Sequence, residues 1–167
     1  MSLVFLLGGA RSGKSALAVR LARAESLPVT VIATAEARDE EMAERIRLHR
    51  AERPAEWSTV EEPLDLEEAV RSAPTEEVLV IDCLSLWVAN LLERGGKNIE
   101  ERARAVAESA RGRGPLTVAV SNEVGLGVVP ATELGRSYRD VLGRVNTLWA
   151  DAAERVSFVI AGRELPL

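Results

Sequence analysis

An α/β fold, doubly wound, with a mostly parallel sheet and helices on both faces, is what these 167 residues predict. Three observations carry it. Residues 3 to 7, Leu3-Val4-Phe5-Leu6-Leu7, are a continuous apolar run, the pattern of a strand buried on both faces. A glycine-rich turn and then a run of good helix formers, Ala16 to Ala24, follow directly. Four more apolar runs recur down the chain: Pro28–Thr34, Val78–Asp82, Leu116–Val120 and Val156–Ala161, mostly separated by helical patterns. Five strands with helical crossovers imply a sheet that is largely parallel.

The turn between the first strand and the first helix is Gly8-Gly9-Ala10-Arg11-Ser12-Gly13-Lys14-Ser15. It has the form G-x-x-x-x-G-K-S, a phosphate-binding loop, which makes the predicted fold P-loop NTPase-like. Glycines let the backbone curl around a phosphate without Cβ clashes. Backbone N–H groups and the helix N-terminus then face the anion. In this pattern Lys14 reaches the β and γ phosphates, and the Ser15 hydroxyl ligates Mg²⁺. Val78-Leu79-Val80-Ile81-Asp82 has the matching form of a Walker B strand, whose Asp82 is the second expected metal ligand.

Composition bounds the rest. The chain suits one nucleotide-binding catalytic domain, residues 1–167. Hydrophobic residues at 47% and charged residues at 28% are ordinary for a soluble globular protein, and no apolar run approaches membrane-spanning length. A net charge of −5, with Lys and Arg scattered, argues against nucleic-acid binding. Cys83 is the only cysteine, so neither an internal disulfide nor a cysteine metal cluster is available. The chain opens on a strand rather than a signal peptide, so the expected compartment is the cytoplasm.

The remaining elements follow in order. Thr34, Ala35 and Glu36 leave the carboxyl end of the second strand, where ligands of open α/β sheets bind; they line the nucleotide or form a plain loop. Asp39 caps a predicted helix to about Ala51, acidic in its first turn and basic in its last. Met42, Ile46 and His49 share one face of it. The chain's only histidine is thus either a core residue or an acid/base or nucleophile beside the nucleotide. Residues 52–63 are irregular or a short edge strand, in which Trp57 serves base recognition or plugs the core edge. Leu64–Ser72, Leu84–Glu93 and Ile99–Arg111 are helical patterns, the last with Asn98 as its cap. Asn122 and Glu123 follow the Leu116–Val120 strand and either meet a ligand or cap the loop. Thr132 caps a long helix whose apolar stripe includes Tyr138, Val141, Leu142, Val145, Leu148 and Trp149. Gly162–Leu167 is a short tail after the last strand.

Taken alone, these residues describe a Mg²⁺-dependent, NTP-using protein, with a small-molecule phosphotransferase as the leading class and a regulatory NTP-binding module as the alternative. The order and spacing of further segments resemble a specific family. They are Ile32-Ala33-Thr34-Ala35, Asp39-Glu40-Glu41-Met42, Arg45-Ile46-x-x-His49-Arg50, Arg53-Pro54 and Trp57-x-Thr59-x-Glu61-Glu62-Pro63. Asp82-Cys83-Leu84-Ser85, Ser121-Asn122-Glu123-Val124-Gly125 and Arg139-Asp140-x-x-Gly143-x-x-Asn146 continue the likeness. The chain resembles the bifunctional adenosylcobinamide kinase / adenosylcobinamide-phosphate guanylyltransferases of cobalamin biosynthesis. That resemblance implies phosphorylation of adenosylcobinamide by ATP or GTP, then transfer of GMP from GTP through a histidine to give adenosylcobinamide-GDP. It places His49 at the nucleophile position. It also places Gly8 to Ser15, Thr34, Ala35, Glu36, Arg50, Ala51, Glu52, Arg53, Glu61 and Asp82 around the nucleotide, and it implies a homotrimer. A different P-loop small-molecule kinase, with no nucleotidyl transfer, is the competing reading.

Overall fold

In the computed structural model, which describes residues 2–167, seven strands form one sheet. They are β1 (Leu3–Gly8), β2 (Val29–Ala33), β3 (Ser58–Glu61), β4 (Val78–Asp82), β5 (Thr117–Asn122), β6 (Arg155–Ile160) and β7 (Arg163–Pro166). Between them run α1 (Lys14–Ala24), α2 (Glu40–Ala51), α3 (Leu66–Ser72), α4 (Leu84–Glu93), α5 (Ile99–Arg111) and α6 (Glu133–Ala152). The order across the sheet is β3-β2-β4-β5-β1-β6-β7, and only the β6–β7 pair is antiparallel.

The continuous apolar runs exist because both faces of the sheet are covered. Leu3 and Phe5 pack with Trp87, Leu142 and Trp149 in a core built with α3 to α6. Their neighbours Val4 and Leu6 point the opposite way and pack with Leu17, Ala18 and Ala22 of α1. Such a strand cannot alternate apolar with polar residues, since successive side chains enter different cores. The Phe5 and Trp149 rings lie 6.3 Å apart, tilted by 37°. The Trp87 indole N–H donates to the Leu64 carbonyl at 2.9 Å, so this wholly buried ring keeps its polar atom satisfied.

Local signals set most boundaries. The Asp39 carboxylate accepts the Met42 N–H at 2.7 Å, and the Thr132 hydroxyl accepts the Gly135 N–H at 3.1 Å, so both expected caps form. Asn98 departs from expectation: its backbone is left-handed, at φ 55°, and its side chain makes no cap bond. Asn is among the few residues that tolerate that conformation.

The strand count is seven rather than five. Residues 58–61 form the edge strand β3, mostly exposed. The supposed tail folds back as β7, because Ala161 and Gly162 make a two-residue hairpin turn that pairs Ile160 with Arg163. β5 also continues past Val120, its Ser121 and Asn122 pairing with Leu7 and Gly8 as the parallel ladder runs on to the glycine loop. Among the described residues no helix is long and apolar enough to cross a membrane.

Candidate active site

The glycine loop leaves the carboxyl end of β1 and enters α1 at Lys14, with Gly13 as the N-cap at φ 103°. A Cβ on Gly8 would stand 2.2 Å from the Val159 carbonyl oxygen, a backbone atom of the neighbouring strand. Gly8 is therefore required by close approach. Gly8→Ala is expected to destabilise the fold by about 1–3 kcal/mol through overpacking, read as a lower urea midpoint at unchanged m-value.

Inside the loop, the Lys14 ammonium donates to the Gly8 carbonyl at 2.9 Å and the Gly9 carbonyl at 2.6 Å, with the Ser12 hydroxyl at 3.4 Å. The loop's own oxygens thus hold the charge. Burial pushes the Lys14 pKa down, opposed by the nearby Asp82 carboxylate. The first turn of α1 holds no acidic residue, so nothing there offsets the positive end of the helix dipole.

A cleft of about 560 Å³ opens over this loop. Its floor is residues 10–16, and one wall is formed by Ala33, Ala35, Asp82, Cys83 and Asn122 at strand ends. The facing wall is α2, through Met42, Arg45, Ile46, Leu48, His49 and Arg50, together with Glu52 and Arg53. Thr59 and Glu61 of β3 close one end. Five cationic side chains (Arg11, Lys14, Arg45, Arg50 and Arg53) meet three carboxylates there (Glu52, Glu61 and Asp82), so a cationic cleft sits in a chain of net charge −5. That polarity suits a polyanion. A smaller cavity of about 180 Å³ shares Ser15, His49, Arg53 and Asp82 with it and reaches Trp57.

None of the α2 residues is buried, which bears on the alternatives left by spacing alone. Met42, Ile46 and His49 do share a face, but it looks onto the cleft and not into the core. The core-histidine reading fails for that reason. His49 is half-buried, its Nδ1 lying 3.8 Å from the Glu52 carboxylate. Beside it the Arg53 guanidinium donates to Asp82 Oδ2 at 2.8 Å, with both side chains largely buried. Arg50 and Glu61 pair more loosely, at 3.4 Å and well exposed, a contact that contributes little to stability.

Other expected residues lie elsewhere. Thr34 is fully buried, and its hydroxyl donates to the Cys83 carbonyl at 2.7 Å and accepts the Cys83 N–H at 3.0 Å. Its own carbonyl accepts from Asn90 at 2.8 Å. Thr34 is thus a strut joining the ends of β2 and β4. Glu36 points away from the cleft into the Arg94 and Arg38 guanidinium groups, at 2.7 and 2.6 Å, whose hydrogen bonds hold its carboxyl below the usual range. Ala51, Gly8 and Gly9 do not line the cleft, and Glu123 accepts the Gly125 N–H as a loop cap. Cys83 is buried, which pushes its thiol pKa up.

Arg45 and Thr59 belong to the cleft but were not among the expected site residues. Their signal is periodicity: Arg45 lies four residues before His49 on a helix, and Thr59 two before Glu61 on a strand.

Comparison with known proteins bears on the fold and the family. A type III secretion system ATPase superposes with a TM-score of 0.57 at 9% identity, over 94% of this chain and 50% of that one, which reports a shared fold. The bifunctional adenosylcobalamin biosynthesis protein CobP of Pseudomonas aeruginosa is 48% identical over 164 residues, 97% of this chain and 95% of the relative. The bifunctional protein CobU of Escherichia coli is 39% identical over 175 residues, 96% of each. The family model described as cobinamide kinase / cobinamide phosphate guanyltransferase matches residues 4–167. With the phosphate loop, the Asp82 strand end and the lone histidine gathered on one cleft, the chain belongs to the cobinamide kinase / cobinamide phosphate guanyltransferase family.

Proposed function

We propose that one cleft serves two transfers: phosphorylation of adenosylcobinamide by ATP or GTP, then transfer of GMP from GTP, by way of His49, to the cobinamide phosphate. The observation that supports this most is that His49 lines the same cleft as Lys14, Ser15 and Asp82. In the kinase step the acceptor hydroxyl takes the γ-phosphoryl group, and the P–O bond to the nucleoside diphosphate breaks. Lys14 exchanges its loop carbonyls for β and γ phosphate oxygens and offsets the charge that builds on the leaving group.

In the second step a neutral imidazole nitrogen of His49 attacks the α-phosphorus of GTP. A P–N bond forms, the P–O bond to pyrophosphate breaks, and pyrophosphate leaves from the loop. The cobinamide phosphate oxygen then attacks the same phosphorus and releases the imidazole, giving adenosylcobinamide-GDP. Splitting one displacement into two lets the nucleotide leave its pyrophosphate behind before a bulky acceptor arrives. Arg45 and Arg50, on the same helix as His49, supply positive charge beside the transferring group.

The Ser15 hydroxyl and Asp82 carboxylate are hard oxygen donors on one small cavity, a set that suits Mg²⁺ when phosphate oxygens complete the shell. Bound there, Mg²⁺ would neutralise phosphate charge. Asp82→Asn is expected to raise the Mg²⁺ concentration needed for half-maximal turnover by about tenfold or more. A metal titration unchanged in that variant would leave the Asp82 carboxylate a partner of Arg53 and not of the metal.

The proposal also holds that residues 1–167 act as one catalytic domain, that copies form a homotrimer and that the enzyme works in the cytoplasm. Sedimentation should then give a mass three times that of the 18.1 kDa chain. The direct test of function is incubation with GTP, Mg²⁺ and adenosylcobinamide, with products identified by mass. Adenosylcobinamide phosphate, adenosylcobinamide-GDP and pyrophosphate are expected. Phosphorylated product without pyrophosphate would favour a plain kinase.

A further inference from the structure

The hairpin of β6 and β7 is held at both ends. At its base, Glu164 accepts the Ser157 hydroxyl at 2.6 Å and also the Arg155 guanidinium, and the Leu167 N–H donates to the Val156 carbonyl at 3.0 Å. At its tip, Ala161 and Gly162 have φ of 50° and 73°. Two successive positive φ values make the turn whose twist matches a two-residue hairpin. A left-handed backbone is unfavourable for a residue with a Cβ, yet Ala161 adopts it.

The tip rests on the phosphate loop. The Gly162 N–H donates to the Ser12 carbonyl at 2.8 Å. A Cβ on Gly13 would stand 3.2 Å from Gly162 Cα. Gly8, one strand over, is pressed against Val159 O in the same way. The hairpin therefore backs the loop at Gly8, Ser12 and Gly13, on the side away from the cleft wall formed by α2.

We propose that Gly162 is a positioning residue for the phosphate loop, its N–H locking the orientation of the Ser12–Gly13 peptide. In a trans peptide the C=O and N–H point in opposite directions. Pinning the Ser12 carbonyl to the hairpin turns the Gly13 N–H the other way, toward the cleft that Ser12 and Gly13 line. Freed of that bond, the peptide can rotate and present carbonyl lone pairs to the phosphate in place of a donor. The lock acts on the phosphates and is indifferent to the base. It rests on the reading that this loop holds a triphosphate.

The test is a full-length semisynthetic protein in which glycolic acid replaces Gly162, so that an ester oxygen stands where the N–H was. Calorimetry with GTP, ATP and inorganic triphosphate, each with Mg²⁺, is expected to show all three dissociation constants rising together by about tenfold, the effect of one lost hydrogen bond. Gly162→Asn keeps the N–H, tolerates a left-handed backbone and has open space around its Cβ, so it should bind as the unmodified protein does. In the unmodified protein the Gly162 amide, although the residue is exposed, should exchange slowly with solvent, and more slowly still with GTP bound. An ester variant with unchanged affinity, a loss confined to the nucleotides, an equal loss in Gly162→Asn, or an unprotected Gly162 amide would each overturn the proposal. If the unmodified protein bound none of the three, the phosphate-loop reading itself would fail.

Discussion

Lys14→Ala is expected to lower both transfer reactions by about 10²–10³-fold, with little change in the circular dichroism spectrum. The residue is 7% exposed, and among the described residues its ammonium bonds to Gly8, Gly9 and Ser12 of its own loop. Lys14 belongs to neither hydrophobic core, so the fold should survive its removal. What is lost is the one mobile cation that can follow charge from the loop carbonyls onto the β and γ phosphates. Because both proposed reactions place their leaving group on this loop, they should fall together. Steady-state rates for each step, measured beside nucleotide affinity, check this. A variant that kept one reaction at a near-normal rate would show that the two transfers do not share the loop.

The fold was largely legible because its signals are local. The Leu3–Leu7 run, the glycine spacing after it and the Ala16–Ala24 helix formers each report on neighbours in sequence, and together they place the loop. Asp39 and the acidic-to-basic order of the residues up to Ala51 mark α2 for the same reason. β7 was not legible: Arg163, Glu164 and Pro166 are polar or edge-type residues, and the strand depends on pairing with β6 and on Glu164 reaching Ser157. The side to which α2 turns its Met42–His49 face was also hidden. Periodicity identifies a face, but only the long-range sheet order decides whether a core or a cleft lies opposite it.

The site was legible to the same depth. Strand ends placed Thr34 and Glu36 near the nucleotide, but what each side chain touches was set by remote partners. Cys83, 49 residues away, takes the Thr34 hydroxyl, and Arg94, 58 residues away, takes the Glu36 carboxylate. No local pattern reports such contacts. Asp82 was legible as the carboxylate ending a buried strand, whereas its pairing with Arg53 was not.

His49→Asn is expected to abolish the guanylyltransferase step while ATP-dependent phosphorylation persists. The imidazole is the chain's sole histidine and sits on the cleft wall, clear of the core, so its replacement leaves no cavity. Asparagine keeps a polar side chain of similar reach but has no nucleophilic nitrogen. The proposed kinase step uses Lys14 and the acceptor hydroxyl and forms no bond to residue 49. The two activities should therefore separate in this variant, whereas Lys14→Ala removes both.

The measurement that bears most directly on this account is transfer of label from α-³²P GTP to the protein. The unmodified chain should acquire one covalent GMP, released by acid and stable to alkali as a phosphorus–nitrogen bond requires, and discharged by cobinamide phosphate. The His49→Asn chain should acquire none. Equal labelling of the His49→Asn protein, or an adduct stable to acid, would place the nucleophile elsewhere and contradict the account.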